Sequence, residues 1–475
     1  MFGEVPNIWK EVLVTAIPKK DCNTQLANYR PISISPVPSK ILEKIIRDEL
    51  LEWFLKQHVI PREQHGFLPE ASTTTLLADS IYDWISSLSN DESVDVVFFD
   101  LSKAFDKVNH SKLLSKLEHY GVRGQILAWL KAFLSERCMT VRVNNNYSNR
   151  YACSSGVPQG AVISPLLFLA YTFDLPNFLK TSPLIKVQMY ADDIKIYSCY
   201  NERNRQEALL ALSGSIEKML AWSQAWDLPV NLSKSVIMHI GNGSSPDFRF
   251  NDVQLREVRS VRDLGVMVDC SLKFHEHLDQ VVSKALTILF TIFRNVHTKD
   301  PNTLIRLYKT YVLPRLEYCS VAWSPYLKKH IRKIEKVQKI FTRILFRRAF
   351  PDPNYPETLP SYEQRLEKLK LRSLLYRRVV NDLVFCFRIL RNETRLQASK
   401  YWTMRPTFGR SGTLVLHYDK MRKHQFNICY NSLFSRTARW FRLLPDDVVS
   451  SCDSKKFRKR LNRLNVLDIL KISDV

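Results

Sequence analysis

The spacing of apolar residues divides the first 270 residues into helical and strand-like segments. Apolar residues at positions 41, 42, 45, 46, 50, 51 and 54 follow a helical period, which predicts a helix over Ser39–Phe54 with Ser39 as its N-cap. The run Val94–Leu101 is too apolar to be half exposed, so it predicts a central strand that leads into an acid, Asp100. Val187–Tyr197 alternates on both sides of an acidic tip and predicts a tight hairpin.

Other segments before residue 270 show the same two periods. The longest apolar run, Pro165–Phe173, is far too short to cross a bilayer, and we interpret it as a buried helix. The remaining predicted helices are Ser72–Leu88, Leu113–Phe133 with a break near Gly121–Gly124, and Glu207–Trp226. The remaining predicted strands are Thr140–Val143 and Tyr147–Ser154, paired as a hairpin, and residues 236–240 and 264–268.

From about residue 275 the pattern becomes mainly helical and strongly basic. Tyr326–Phe350 has one apolar face and nine cations against a single acid, Glu335. Because repulsion among the cations is not offset within the segment, we interpret it as a phosphate-binding surface rather than an ordinary solvated face. The nine cations are Lys328, Lys329, Arg332, Lys333, Lys336, Lys339, Arg343, Arg347 and Arg348. Lys455–Arg463 is a shorter segment of the same kind.

Charge over the whole chain supports a polyanionic partner. The 475 residues include 70 Lys+Arg and 47 Asp+Glu, a net charge of +23, and nucleic acid is the commonest polyanion that such a protein binds. An anionic membrane surface is the alternative. The nine cysteines show no CxxC spacing, which disfavours a zinc site and favours a reducing compartment. The first residues do not form a signal peptide, so we expect a soluble intracellular protein.

Three aspartates are candidates for catalysis. Asp100 ends an apolar strand, and Asp192 and Asp193 occupy the tip of an apolar hairpin. Burying carboxylates is costly unless a cation pairs them, and two divalent ions would do so. Mg²⁺ suits this role because it takes oxygen ligands and bridges phosphates, with Mn²⁺ as the alternative ion. Each acid alone has an ordinary explanation, as a solvated strand end or a turn.

The sequence motifs around these acids are more specific than the acids alone. FFDLSKAFDKV (98–108), SSGVPQGAVISPLLF (154–168) and YADDIKIY (190–197) occur in this order. Together they resemble motifs A, B and C of reverse transcriptases, and their wording resembles non-LTR (LINE-type) retrotransposons of the jockey-like group. Further blocks agree, and the resemblance covers nearly all of the chain. They are residues 28–46, QHGF (64–67) with STTT (72–75), NLSK (231–234), LGVMVD (264–269), and YVLPRLEYCSVAWSP (311–325) in the thumb.

This resemblance implies an α+β, right-hand polymerase fold. It places fingers in residues 1–90, a palm with an antiparallel sheet, flanking helices and fingers insertions in residues 91–270, a helical thumb in residues 271–350, and a basic helical region in residues 351–475. The implied reaction is RNA-directed DNA synthesis, in which dNTPs are added to a DNA primer 3′-hydroxyl on a template RNA. The expected location is the nucleus or a cytoplasmic ribonucleoprotein, without membrane attachment.

The resemblance also implies roles around the metals. Asp100 and Asp192 match direct metal ligands, Asp193 matches a supporting third acid, and the Leu101 carbonyl matches a main-chain ligand. Lys234 matches a lysine that would give a proton to pyrophosphate, with an ordinary surface lysine as the alternative.

Further matches concern the incoming nucleotide and the primer. Phe105 matches an aromatic gate that crowds a ribose 2′-hydroxyl, with a plain core residue as the alternative. Gln159 and Gly160 match the motif B turn, where glycine allows the backbone to approach the nucleotide. Arg30 matches a triphosphate contact from the fingers, and Tyr190 is expected beneath the primer end.

Two classes of function stay open at this point. One is an active reverse transcriptase; the other is a truncated, element-derived protein that binds nucleic acid without polymerising. The second follows from the few residues before the block at 6–20, which leave no room for the endonuclease that relatives carry, so a truncated copy or partial gene model is expected. A viral RNA polymerase would show GDD and a polar residue near position 105, and group II intron enzymes fit the wording less well.

Overall fold

The computed structural model describes residues 3–19, 28–243, 248–250, 253–406, 414–418 and 426–473. Its strands are β1 (Glu11–Pro18), β2 (Tyr29–Ile34), β3 (Ser93–Phe99), β4 (Cys138–Val143), β5 (Asn146–Tyr147), β6 (Tyr151–Ala152), β7 (Ile185–Tyr190), β8 (Asp193–Tyr200), β9 (Val236–Ile240), β10 (Arg249–Phe250), β11 (Val253–Gln254), β12 (Arg256–Glu257), β13 (Ser260–Asp263), β14 (Val266–Asp269), β15 (Thr403–Pro406) and β16 (Leu414–His417).

The helices of the first half are α1 (Asn7–Lys10), α2 (Val37–Lys56), α3 (Thr73–Ser89), α4 (His110–His119), α5 (Gly124–Leu134), α6 (Ser164–Thr172), α7 (Leu175–Leu179) and α8 (Arg205–Ala225). The later helices are α9 (His275–Asn295), α10 (Pro301–Leu307), α11 (Leu313–Glu317), α12 (Ser320–Trp323), α13 (Lys328–Ala349), α14 (Tyr362–Lys368), α15 (Leu374–Leu390), α16 (Ala398–Tyr401), α17 (Phe426–Asn431), α18 (Leu433–Phe441), α19 (Asp446–Val449), α20 (Ser454–Leu461) and α21 (Val466–Ile469).

The chain forms two compact units, which we describe separately. The first contains residues 1–72, 95–237 and 244–257, and the second contains residues 73–94, 238–243 and 258–475. The α+β class predicted from the sequence is confirmed, since both helices and sheets build the structure. The division into fingers, palm, thumb and C-terminal region stays a prediction.

A five-stranded sheet of order β12-β9-β3-β8-β7 carries the candidate acids. β3 lies in the middle, as its apolar sequence predicts, and Val96 and Val97 are fully buried. The one acid inside this strand, Asp95, is also fully buried and accepts a hydrogen bond from the Tyr200 hydroxyl at 2.7 Å. β7 and β8 form the predicted antiparallel hairpin, whereas β12 joins β9 in parallel.

Helix α6 is part of the core of the first unit. The five residues 167–171 are fully buried, which confirms the predicted buried helix. A second sheet in this unit has the order β2-β1-β4-β5, and β6 also pairs with β4. The predicted hairpin around residues 144–146 is therefore confirmed, with its return strand split into two short pieces.

One helix start was predicted wrongly. We expected Ser39 to be the N-cap, but α2 begins at Val37 after Pro36. Pro38 lies within its first turn, where proline is well tolerated because its missing N–H has no intrahelical partner. The Ser39 hydroxyl instead donates to the Glu43 carboxylate at 2.9 Å, one turn further along.

The second unit is mainly helical. Its core residues come from α3, α13, α15, α18 and α20, among others. Glu335 of α13 is buried, and its carboxylate accepts the amides of Leu374 and Leu375 and the Tyr362 hydroxyl. It therefore binds the first turn of α15 and does not lie among the cations of α13.

No helix in the described part of the chain is long and apolar enough to cross a membrane.

Candidate active site at the β7–β8 hairpin

The β7–β8 hairpin ends in a two-residue turn. Tyr190 and Asp193 form its last strand pair, so Ala191 and Asp192 make the turn itself. Ala191 has a φ of 56°, a left-handed conformation that is uncommon outside glycine, asparagine and aspartate. The turn therefore needs stabilising contacts from other residues. Such a contact is made by a backbone amide of the turn, that of Ala191.

Gln64 supplies this support from a distant part of the chain. Its side-chain Oε1 accepts the backbone amide of Ala191 at 2.9 Å and that of Gly66 at 2.7 Å. The backbone around it runs along β7, since the His65 amide donates to the Met189 carbonyl at 2.8 Å. Gln64 is 1% exposed, so these hydrogen bonds are shielded from water. The turn that carries Asp192 is thus fixed by the QHGF block.

Gly66 has no room for a side chain. A Cβ atom at this position would lie 2.5 Å from the Ala191 amide nitrogen and 3.1 Å from the Tyr190 carbonyl carbon. Both neighbours are backbone atoms, which cannot rotate away as a flexible side chain can. In the sequence, QHGF was one block of the resemblance and had no assigned role. The structure shows that its glutamine and glycine hold the hairpin turn.

Asp100 lies directly after β3, the neighbour of β8 in the sheet. Its carbonyl accepts the Asn231 amide at 2.7 Å, and its own amide donates to the Ser235 hydroxyl at 3.3 Å. These bonds fix the backbone of the first candidate acid from the segment that contains the NLSK block. The predicted motif D therefore lies beside the predicted motif A.

The carboxylates of Asp100 and Asp192 are near enough to interact. Burial raises the pKa of the Asp192 carboxyl above its ordinary value, and the negative charge of Asp100 raises it further. The Arg30 guanidinium of β2 opposes this rise in pKa, so Arg30 also lies within electrostatic reach. The structure thus brings together three residues that lie up to 162 positions apart in the sequence.

The Leu101 carbonyl points away from the neighbouring segment. Leu101 and Val230 form an isolated antiparallel bridge. Its hydrogen bonds belong to the flanking residues: the Asn231 amide donates to Asp100, and the Ser102 amide donates to Pro229. In such a pair the central residues direct their own N–H and C=O groups outward. This geometry is compatible with the predicted main-chain metal ligand.

Phe105 belongs to a cluster of aromatic rings. It is half-buried and stacks on Phe168, with ring centroids 4.4 Å apart and planes 18° apart. The Phe67 ring meets it edge-on at 6.5 Å, and Phe67 also lies 6.5 Å from the Tyr190 ring. One face of the Phe105 ring is therefore covered by Phe168, and the rest of the ring is accessible. This arrangement is compatible both with a steric gate and with a core residue.

The motif B turn is held on two sides. The Gln159 amide group donates to Asp106 at 2.8 Å, and the Gln159 carbonyl accepts the Ser33 amide at 2.6 Å. Gly160 has a φ of 112°, and a Cβ there would lie 2.6 Å from the Ser33 carbonyl oxygen. Glycine is thus required for the close approach of β2, a reason that the sequence did not reveal.

Glu43 was another functional candidate that sequence patterns missed. It is fully buried on α2, and its Oε2 accepts the amides of Val162 at 2.7 Å and Ile163 at 3.4 Å. These amides precede α6, where a negative charge is favourable because the helix N-terminus carries partial positive charge. Sequence patterns missed Glu43 because, within an amphipathic helix, it resembles an ordinary helical glutamate.

Two further candidates lie on the surface. Asp193 is exposed at the start of β8, next to the half-buried Asp192. Lys234 is exposed in the turn whose Asn231 binds Asp100, and its backbone amide donates to the Asn231 carbonyl at 3.1 Å. Lys234 thus follows, by three residues, Asn231, whose amide binds the Asp100 carbonyl. The role of the Lys234 side chain stays a prediction.

Protein side chains alone do not complete a metal site. Across the described residues, no group of three or more His, Cys, Asp or Glu side chains is arranged to hold a metal ion. The two interacting carboxylates nevertheless fit hard divalent cations, which take further ligands from carbonyls, water and substrate phosphates. Burial, and after it the negative charge of Asp100, raises the pKa of Asp192, and a divalent cation between the two carboxylates would offset both effects.

The basic helix α13 lies in the second unit. Four of its nine cations contact protein groups, and the other five are exposed. Lys333 pairs with Asp279, and Arg348 donates to the Phe293 and Val296 carbonyls at the end of α9. Lys339 and Arg347 lie over tyrosine rings. The five cations left are exposed, namely Lys328, Lys329, Arg332, Lys336 and Arg343.

Residues 17–268, more than half of the chain, match the family described as Reverse transcriptase (RNA-dependent DNA polymerase). Among curated proteins, the chain is 26% identical over 350 residues to the RNA-directed DNA polymerase from mobile element jockey of Drosophila melanogaster. The matched region covers 71% of this chain and 37% of that protein. The chain is 24% identical over 347 residues to the probable RNA-directed DNA polymerase from transposon X-element of the same species, covering 72% and 38%. The chain therefore spans less than two fifths of the length of these relatives.

A solved structure of apo telomerase from Candida tropicalis is also similar, with a TM-score of 0.41 and 12% identity, over 72% of this chain and 58% of that one.

The packing around Gly66 makes a testable prediction. Gly66→Ala should lower the free energy of unfolding by about 1–3 kcal/mol, because the new methyl group overlaps backbone atoms of the hairpin turn. Gly214→Ala is the matched control, since its Cβ would meet no atom within 4 Å inside α8. That control should be neutral or stabilise by up to about 1 kcal/mol. Chemical denaturation measures both, and equal effects would contradict the predicted overlap.

Proposed function

The chain belongs to the reverse transcriptase (RNA-dependent DNA polymerase) family, and we propose that it extends a DNA primer on a template RNA with dNTPs. The observation that carries this proposal is the pair of interacting carboxylates, Asp100 and Asp192, directly beside the ends of the adjacent strands β3 and β8. Nucleotidyl transfer needs two such acids at one edge. The similarity to polymerases of jockey and X-element supports a non-LTR retrotransposon origin.

Reverse transcriptases generally use divalent metal ions, and we propose two Mg²⁺ ions here. Asp100, Asp192 and the Leu101 carbonyl would hold them, with Asp193 as a supporting acid. When bound, the ions supply Lewis acidity for the primer 3′-hydroxyl and charge neutralisation for the leaving pyrophosphate. The chain itself contributes position, since Gln64 fixes the turn before Asp192 and Asn231 fixes the backbone of Asp100.

Arg30 and Lys234 are proposed to act on the triphosphate. Arg30 is exposed on β2 and lies within electrostatic reach of Asp192, so its guanidinium is placed to pair with a phosphate as well as to offset the acids. Lys234 would give a proton to pyrophosphate as it leaves. Its exposed position beside the Asn231 turn supports access to solvent protons.

Phe105, Tyr190, Gln159 and Gly160 are proposed to shape the nucleotide and primer positions. The stack of Phe105 on Phe168 fixes the ring, so that it cannot swing away from an added 2′-hydroxyl. Tyr190, the last residue of β7, would lie beneath the primer end. The hydrogen bond of Gln159 to Asp106 joins the motif B turn to the segment that carries Phe105.

The central prediction concerns Asp192. Asp192→Asn keeps the size of the side chain and removes its charge. Residues that only orient metal ligands typically change metal affinity or activity by about ten- to a hundredfold. Loss of a direct ligand should therefore lower primer extension with Mg²⁺ by more than about a hundredfold. Asp91→Asn is the matched control, because Asp91 is exposed in a left-handed turn that asparagine also tolerates. Gel assays on an annealed RNA template and DNA primer measure both rates.

Two outcomes of this assay would contradict the proposal. Undiminished extension by Asp192→Asn would remove the site assignment. If the unmutated chain fails to extend the primer but binds RNA in a salt-sensitive way, the chain is a nucleic-acid-binding protein without polymerase activity.

A second prediction tests the gate. Phe105→Ala should raise ribonucleotide incorporation relative to deoxynucleotide by about tenfold or more, the discrimination that a small steric difference gives. Phe105→Tyr keeps the ring and should leave the ratio nearly unchanged. Thermal unfolding of both variants controls for the lost stacking on Phe168. An unchanged ratio in a folded Phe105→Ala chain would make Phe105 a core residue only.

A third prediction concerns the basic helix α13. Of its nine cations, we propose that the five exposed ones without an ion pair or ring contact to the residues that the structure describes, Lys328, Lys329, Arg332, Lys336 and Arg343, contact nucleic-acid phosphates. Replacing Lys328, Lys329 and Arg332 with glutamine should reduce the salt dependence of RNA binding by about 0.7–0.9 in log–log slope for each lost phosphate contact. The control triple Arg294→Gln, Lys299→Gln and Lys309→Gln removes equal charge from exposed positions on other elements of the second unit. Fluorescence anisotropy over a salt series measures the slopes, and equal slopes for both triples would reject a specific role for α13.

A further inference from the structure

Helix α6 is bound at each end by a charged side chain from another element. At the N-terminal end, the Glu43 carboxylate of α2 accepts the amides of Val162 and Ile163. At the C-terminal end, the Lys116 ammonium of α4 donates to the Tyr171 carbonyl. Both charges complement the helix dipole, which is positive at the N-terminus and negative at the C-terminus. The helix is therefore held along its axis from both ends.

The N-terminal end of α6 depends on Glu43 because the local sequence provides no cap. The N-cap position is Ile163, whose side chain has no oxygen that could accept an amide. Glu43 is fully buried, its other carboxylate oxygen accepts the Ser39 hydroxyl at 2.9 Å, and the buried Arg137 lies within electrostatic reach. Burying a carboxylate is costly unless donors surround it, so an apolar residue would serve packing alone better. The amides that Glu43 accepts explain why an acid is present.

The segment between the motif B turn and α6 is held at two points by consecutive elements, β2 and α2. Ser33 of β2 donates its amide to the Gln159 carbonyl at 2.6 Å. Glu43 of α2 accepts the Val162 amide at 2.7 Å, three residues further along the chain. Gly160 lies between these two points, where a Cβ would overlap the Ser33 carbonyl oxygen. The position of the motif B turn against β2 therefore depends on both contacts.

Helix α6 also carries the ring that supports the proposed gate. Phe168 is fully buried, and Phe105 stacks on it with ring centroids 4.4 Å apart. The Phe105 carbonyl accepts the Val157 amide at 2.8 Å, which joins the gate to the segment before the motif B turn. Because residues 167–171 are fully buried and interiors are closely packed, a displacement of the start of α6 is transmitted to Phe168.

We propose that Glu43 is a positioning residue for nucleotide selection. By holding the start of α6, it fixes Gln159 and Gly160 and, through Phe168, the Phe105 ring that would crowd a ribose 2′-hydroxyl. Glu43 itself does not touch the nucleotide in this role. The role rests on the proposed function, since it determines which nucleotides the polymerase accepts.

The experiment compares primer extension by the full chain with dNTPs and with rNTPs in Glu43→Gln. Glutamine keeps the shape but loses the charge, and a charge-assisted hydrogen bond is roughly twice as strong as a neutral one. The preference for dNTPs in kcat/KM should fall about threefold, a smaller change than that expected for Phe105→Ala. Glu49→Gln is the matched control, since Glu49 is exposed on the same helix, and it should keep the preference of the unmutated chain. A loss of folded protein lowers both rates equally and leaves this ratio unchanged.

Three further measurements separate positioning from a general loss of stability. The Mg²⁺ concentration for half-maximal extension should stay the same in Glu43→Gln, because other residues hold Asp100 and Asp192. Glu43→Gln combined with Phe105→Ala should match Phe105→Ala alone within about twofold, since both changes act through one ring. Hydrogen exchange of the chain without nucleic acid should become faster at residues 162–168 and stay the same in the β7–β8 hairpin.

The outcomes distinguish this role from the proposed function. If the unmutated chain extends the primer and Glu43→Gln keeps the preference of Glu49→Gln, the role is wrong and the proposed function stands. The role is also wrong if the Mg²⁺ requirement rises, if exchange at residues 162–168 is unchanged, or if the effect adds in full to that of Phe105→Ala. No extension by the unmutated chain would reject the proposed function and this role with it.

A milder variant covers the case in which Glu43→Gln unfolds at the assay temperature. Ser39→Ala removes the hydrogen bond to the Glu43 carboxylate without changing the charge. It should lower the preference for dNTPs in the same direction and by a smaller factor. A preference equal to that of Glu49→Gln would then overturn the role.

Discussion

The repulsion between the Asp100 and Asp192 carboxylates is the constraint on which the first unit depends. Burial raises the pKa of the Asp192 carboxyl, and the negative charge of Asp100 raises it further, so the charged form of Asp192 is held at a cost in free energy. Arg30 offsets part of it, and divalent ions would offset the rest. The backbone beside both acids is held by hydrogen bonds from other segments, which limits how far the two carboxylates can move apart.

Those supports come from parts of the chain that are distant in sequence. Gln64 and Gly66 hold the hairpin turn, and Asn231 and Ser235 hold Asp100. None of these residues needs to touch a substrate. Their effect is to fix the backbone around the two acids within the protein itself, which is how preorganised sites avoid reorganisation when a ligand binds.

Sequence patterns predicted the elements well because periodicity and burial are local properties. The central strand before Asp100, the acidic hairpin and the buried helix α6 were all confirmed. The same patterns could not predict contacts such as Gln64 with Ala191, which lie 127 residues apart and leave no periodic signal. They also misjudged Glu335, which appeared as one acid among cations, because helix geometry decides that it faces the core. The roles of the site residues came from a resemblance and stay predictions.

The net charge of +23 has a different meaning in different parts of the chain. Some cations are structural: Lys116 lies 3.6 Å from the centre of the Trp226 ring, and Arg436 pairs with the buried Asp382. Such cations have already paid their desolvation cost and offer little to a partner. Cations that are exposed and lack an offsetting acid keep their full hydration and can exchange it for a phosphate. Counting residues of this kind, rather than total charge, separates candidate binding surfaces from a basic composition, and on α13 it selects Lys328, Lys329, Arg332, Lys336 and Arg343.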